Sequence, residues 1–300
     1  MDRARTLYVV ADDFGIGPET TRGILTVAEA GRLTATVLLV NTPYAEDAVR
    51  KWDRAGRPMA VGWHPNLTLD TPVLPPEEVP TLVGPDGRFH KLGKFLKKAM
   101  FGRLDQCELA AELAAQHRRF VDLIGHPPLV VNSHQHVSIF PPVGRVLLDL
   151  LDSQPGPKPY VRRVREQKRL LLRVPGARVK RGVLSFFGKR HARRSAARGF
   201  PGADWLIGVT DPPCTTDDRF WTRWISRANG DAVELGCHPG YTDETLLVRD
   251  VPGKPHDLAR RVNELTMMLR DDFPDAVDAA GFRLASPSAF EARELVKSAA

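Results

Sequence analysis

A chain of 300 residues with 42% apolar and 26% charged content is long enough for one α/β core of barrel size and too apolar for a disordered chain. No apolar run approaches the roughly 18 residues of a membrane span, and residues 1–6 lead into a strand-like run without a small-residue cleavage site, so a cytoplasmic protein is expected. Cys107, Cys214 and Cys237 are odd in number and far apart, which excludes a disulfide framework and a CxxC metal site and fits a reducing compartment.

In chain order, residues 7–11 (LYVVA) read as a strand that ends at Asp12 and Asp13. Residues 19–30 have helical spacing with Gly31 as the stop, 36–40 (TVLLV) form a second strand, and 45–55 a helix. Residues 60–63 are a third strand running into His64, and a Pro-rich loop insertion follows near 72–87. Residues 109–124 make an amphipathic helix stopped by Gly125. A fourth strand at 129–132 leads into Ser133, His134, Gln135 and His136, and 143–151 are helical. Further strands are expected at 158–164, 205–209 and 233–237, the last ending at His238, followed by a helix at 257–270 and a late strand at 282–285.

The net charge of +7 belongs to one stretch. Residues 158–198 hold 15 Lys and Arg against Glu166 alone, which leaves the rest of the chain at −7. The stretch reads as a basic, solvated insertion. Its apolar runs at 170–172 and 184–187 would also suit a glycolipid at an anionic membrane surface. With only Tyr160, Phe186 and Phe187 available for stacking, nucleic acid is not expected. Strands alternating with helices imply βαβ units. The expected fold class is α/β: a single domain over residues 1–300 with two loop insertions, in which six to eight such units suggest a barrel or barrel-like closure.

The polar residues are informative by position. Asp12, Asp13, His64, His134, His136 and His238 all fall at strand C-termini, which share one face in parallel α/β folds. Alone, each has a plain structural explanation, such as a helix cap for the acid pair. Together they assemble a carboxylate with imidazoles, a ligand set for a catalytic divalent metal. Of two adjacent aspartates, one can hold the metal while the other takes a proton from water, and a further histidine can protonate a leaving group.

These residues also carry a family resemblance. Val10-Ala11-Asp12-Asp13-Phe14-Gly15 resembles the NADDFG opening of YdjC-like (ChbG-type) carbohydrate deacetylases. Residues 62–68 (GWHPNLT) resemble their GLHLNLT, 132–136 (NSHQH) their DSHxH, 237–240 (CHPG) their CHPG, and Arg261-x-x-Glu264-Leu265 their RxxEL. The resemblance spans roughly residues 6–290 and implies a deformed (β/α) barrel, of about seven parallel strands, and a divalent metal, Mg or Zn, held by Asp13, His64 and His134. It further implies Asp12 as general base, His238 as general acid, and removal of acetyl from an N-acetylated amino sugar. Asn132 stands where the family has Asp, and Ser138 where it commonly has His. The loss of charge at Asn132 puts the orientation of a ligand histidine in question. A homodimer is compatible with the sequence and not required by it. Two other readings remain open: a metal-dependent phosphoesterase, told apart by its phosphate product, and a non-catalytic sugar-binding protein.

Overall fold

Strand β1 (Arg5–Phe14) is the spine of the sheet, and every residue of it from Thr6 onward is buried. That is the pattern of a parallel strand covered on both faces. The computed structural model describes residues 5–250 and 255–286. The other strands are β2 (Ala35–Leu38), β3 (Ala60–Trp63), β4 (Val130–Val131), β5 (Tyr160–Val161), β6 (Trp205–Ile207), β7 (Ala232–Cys237) and β8 (Phe282–Leu284). They run in the order β5-β4-β3-β2-β1-β7-β6, with all pairings parallel. The eighth strand, β8, joins the start of β1 at Arg5–Leu7.

The helices are α1 (Pro18–Glu29), α2 (Ala45–Arg54), α3 (Leu92–Met100), α4 (Gln106–Ile124), α5 (Val143–Asp152), α6 (Lys168–Arg173), α7 (Arg178–Ala197), α8 (Phe220–Ile225), α9 (Thr245–Arg249), α10 (Pro255–Leu269) and α11 (Asp272–Ala279). Their ends carry the expected signals. Pro18 opens α1. The Asp105 carboxylate accepts from Cys107 N and Glu108 N at the start of α4, and Gly125 closes that helix at φ 87°. Among the described residues no helix is long and apolar enough to cross a membrane.

The sheet is curled rather than flat. β5 and β7 lie five places apart in the ladder, yet Tyr160 hydrogen-bonds Glu234 and Arg162 Nε donates to Glu234 Oε1 at 2.5 Å. Only a sheet rolled toward closure brings those side chains together. Between the two edge strands the backbone makes isolated bonds, Val161 N to Pro201 O at 2.8 Å and Leu206 N to Arg165 O at 2.9 Å, in place of a ladder. The result is a deformed barrel. Side-chain alternation then sorts β1. Tyr8 and Val10 pack inside with Val37, Val130 and Tyr160, while Leu7, Val9 and Ala11 join the larger core under the helices.

The basic stretch is not an insertion that could be cut away. It supplies β5, and its helix α7 packs a face of Arg181, Gly188, His191, Ala192 and Ser195 inward. That face is polar or small, so the buried side of the helix carries no apolar period. A Cβ at Gly188 would lie 1.7 Å from Val164 O, so glycine alone allows the approach. Arg181 is buried, donating from Nε to Glu166 Oε2 at 2.8 Å and from Nη1 to Val174 O at 2.7 Å. The Pro-rich loop is likewise packed: Val79, Leu82 and Val83 are buried, and Glu112 of α4 accepts from Val73 N and Leu74 N.

Candidate active site

A cavity of about 590 Å³ opens at the C-terminal ends of the strands, lined by Asp12, Asp13, His64, His134, His136 and His238 among others. The alternation that puts Tyr8 and Val10 inside the barrel also turns Asp12 inward. Asp13 should then point out toward the helices. It does not, because its φ is +68° and the register of β1 shifts between Ala11 and Phe14. A left-handed conformation costs a Cβ-bearing residue about 1–2 kcal/mol. Here it turns two adjacent carboxylates into one mouth.

Asp13 Oδ1 lies 3.0 Å from His134 Nδ1 and 3.4 Å from His64 Nε2, and the three donor atoms sit within 4.8 Å of one another, all buried. Close backbone pairing makes this possible. A Cβ at Gly62 would stand 2.2 Å from Val130 O, so glycine lets β3 press against β4. Beyond the strands, His134 N donates to Pro65 O at 2.9 Å. His64 Nδ1 is 2.7 Å from Asn132 O. A carbonyl only accepts, so Nδ1 carries a proton and Nε2 is the atom that faces Asp13. Nε2 at 3.4 Å from the carboxylate oxygen is placed to meet it through a proton or through a cation held between them. His134 Nε2 is in addition buried without a partner, 4.0 Å from Asp250 Oδ1. A carboxylate oxygen and two imidazole nitrogens so placed fit a divalent cation. Arg261 Nη2 holds the second oxygen, Asp13 Oδ2, at 2.6 Å, which leaves Oδ1 as the oxygen turned to the two histidines. Burial pushes the Asp13 carboxyl up, but Arg261 and the two histidines outweigh it and hold it well below the usual carboxylate range.

Asp12 is gripped from the other side. Arg162 donates from Nη1 to Oδ2 at 2.5 Å and from Nη2 to Oδ1 at 2.8 Å, and Asn132 Nδ2 adds a bond to Oδ1 at 3.2 Å. Burial raises its carboxyl pKa, yet Arg162, His64 and His238 bring it below the ordinary range. Glu234 is raised by burial, which Arg162 and Tyr160 only partly offset. Asn132 therefore does not leave a ligand histidine unoriented. Its backbone carbonyl fixes His64, and its side-chain amide supplies Asp12 with a donor that an ionised aspartate would lack.

His238, directly after β7, offers Nε2 to the cavity 3.8 Å from Asp12 Oδ2. Arg260 Nη2 lies 2.9 Å from His238 Nδ1, and because a guanidinium only donates, Nδ1 accepts and Nε2 carries the proton. Glu264 anchors the pair, accepting from His238 N at 2.5 Å and Arg260 Nε at 2.6 Å. Burial and Arg260 hold the His238 pKa well below the ordinary imidazole value.

His136 does not join the donor set. The extended geometry that would align it with His134 is absent, because residues 134–139 form a 3₁₀ turn with Gln135 and His136 at positive φ. It lines the cavity with Nδ1 unpartnered, its pKa lowered to about 3 by burial and the nearby Arg162. Sequence reasoning missed Arg162, Glu234, Arg260 and Asp250. Arg162 was hidden among the fifteen basic residues of its segment, although its spacing of two from Tyr160 on a strand puts both on the inner face. Removing it should be costly: Arg162→Met leaves Asp12 and Glu234 facing one another without their cation. A loss of about 3–5 kcal/mol is expected by denaturant unfolding, the size seen when one partner of a buried ion pair is deleted.

The sequence model of the YdjC-like protein family matches residues 6–279. The chain belongs to this family. A YdjC-like relative, the chitooligosaccharide deacetylase of Klebsiella pneumoniae strain 342, is 32% identical over 283 residues, covering 93% of this chain and 97% of its own. That of Escherichia fergusonii is 37% identical over 287 residues, covering 94% and 98%. A crystal structure of an Enterococcus faecalis V583 protein, provisionally named for cellobiose-phosphate cleavage, superposes with a TM-score of 0.76 at 22% identity. It covers 95% of this chain and 98% of that one, and so shares the YdjC-like chain's fold.

Proposed function

We propose that this chain is a carbohydrate N-deacetylase that hydrolyses the N-acetyl group of an acetylated amino sugar to acetate and free amine. One observation carries the reading. The buried Asp13, His64 and His134 set faces the same cavity as Asp12 and His238, in a family whose near-full-length relatives are named for chitooligosaccharide deacetylation. A divalent cation, magnesium or zinc, held by Asp13 Oδ1, His64 and His134 would polarise the amide carbonyl and acidify the attacking water.

The remaining steps belong to the side chains. Asp12 takes the proton of the attacking water. Arg162 and Asn132 weaken it as a base while fixing its direction, so geometry is gained at the expense of basicity. Asp12 then returns that proton to the departing nitrogen. His238 contributes the Nε2–H, a neutral donor to the nitrogen or to the developing oxyanion. A charged imidazolium acid would need Arg260 to leave Nδ1. Gln can replace the donor but not an acid. His238→Gln is therefore expected to retain at least roughly tenfold more kcat than His238→Ala, since one hydrogen-bond donor to a developing oxyanion is worth about 10²–10³. Equal losses in both variants would make His238 the acid itself.

The experiment for the reaction is mass spectrometry of N-acetylated glycans after incubation with the metal-loaded protein. The expected product has lost one acetyl in exchange for hydrogen, with acetate released. Inorganic phosphate from phosphorylated sugars, with no acetate, would replace this reading by a phosphoesterase.

A further inference from the structure

The cavity that holds the polar groups has a second character at its mouth. Leu92 and Leu96 of α3 line one wall, and Val183 and Leu184 of α7 another. Neither apolar strip stops at the cavity. On α3 the i, i+4, i+8 row continues from Leu92 and Leu96 to Met100, which is 76% exposed, beside Phe101 at 61%. On α7, Val179, Val183 and Phe186 fall at i, i+4 and i+7, a single stripe, and all three are exposed. Leu172 of α6 is exposed as well.

The two segments that carry these strips hold charge of one sign, while Asp250 and Asp257, beside Asp12 and Asp13, are the acids that other elements bring to the same cavity. Residues 91–104 contain five Lys and Arg and no acid, and residues 167–203 contain eleven and no acid. Beyond Phe186 the outward face of α7 turns basic, with Lys189, Arg190, Arg193 and Arg194 exposed and the Arg190 guanidinium 5.8 Å from the Phe186 ring centroid. A soluble oligosaccharide calls for none of this. Exposed apolar side chains set among the cations of their own segments, neither of which holds an acid, are complementary to an anionic lipid surface: the apolar groups enter the acyl boundary and the cations meet headgroups.

We infer that the mouth of the site, formed by α3 and α6–α7, docks on an anionic bilayer, and that the amino sugar it receives is borne on a lipid. The substrate half rests on the deacetylase reading; the docking half does not. On docking, the sugar enters toward Asp12 and Asp13 while its lipid lies along Leu92, Leu96 and Val183.

The test uses the full chain in flotation with vesicles of phosphatidylcholine alone and of phosphatidylcholine with phosphatidylglycerol. Flotation is expected only with the anionic vesicles and should weaken as salt rises. The double variant Val179→Ser/Phe186→Ser removes two exposed side chains outside the cavity lining, so the fold and soluble turnover are retained. Its vesicle partitioning should fall roughly tenfold or more. The charge variant Arg193→Glu/Arg194→Glu should fall similarly. No flotation with the anionic vesicles, or flotation of both variants equal to the parent, overturns the docking surface. A turnover arm compares N-acetylglucosamine anchored to a lipid in these vesicles with a chito-oligosaccharide in solution. The apolar double variant should lose the first and keep the second. Turnover of the soluble sugar without any vesicle binding defeats docking and leaves the deacetylase intact. Vesicle binding without deacetylation of either substrate defeats the deacetylase and leaves docking intact.

Discussion

Asn in place of Asp12 is expected to cut turnover on the true acetylated substrate by about 10²–10⁴-fold while the metal still binds. The donor set Asp13, His64 and His134 excludes Asp12, so metal affinity should stay near that of the parent. Stability should fall modestly. The amide keeps one oxygen for Arg162 but turns an NH₂ toward a second donor, and one mispaired buried group costs about 1–3 kcal/mol. Acetate release gives kcat, isothermal titration with Zn or Mg gives affinity, and thermal unfolding reports the fold. Near-parental turnover would remove Asp12 as the base, whatever the metal does.

The second large effect is at His134. His134→Ala should lower metal affinity by more than the roughly 10–100-fold that removal of an outer-shell partner costs, and turnover should vanish with it. Added metal should restore little, because one of three donors is gone. The fold should survive: the turn that carries His134 is tied by backbone bonds, His134 N to Pro65 O and His136 N to Ser133 O, and Asp13 keeps Arg261. Titration that shows parental affinity in this variant would place the cation elsewhere.

The contrast between Asp12 and Asp13 shows how far residue order reaches. Both were legible as polar groups at the end of an apolar run. That both face one cavity was not, because strand alternation alone sends neighbours to opposite faces. A positive φ at Asp13 and a register shift in β1 override the alternation, and neither has a signature in residue type. His134 and His136 are the opposite case. Spacing of two aligns side chains only on an extended chain, and the chain there is a 3₁₀ turn.

The basic segment is the largest discrepancy. Charge density suggested a solvated insertion, yet Arg162 and Arg181 are buried against Asp12, Glu234 and Glu166. Composition reports the mean of a stretch, while burial is decided residue by residue. The carboxylates that neutralise Arg162 come from β1 and β7, remote in sequence.

Residue order alone was enough for the parallel α/β pattern, the strand ends at Asp12, His64 and His238, and the kinds of donor that meet there. Those features follow from local periodicity and residue chemistry, which act over a few positions. Long-range packing alone sets which oxygen of Asp13 faces the histidines, which ring nitrogen of His64 and His238 is tied up, and that Arg162 belongs to the centre. Each of these depends on a hydrogen-bond partner brought from another strand or helix by the curl of the sheet, and no local pattern encodes that distance.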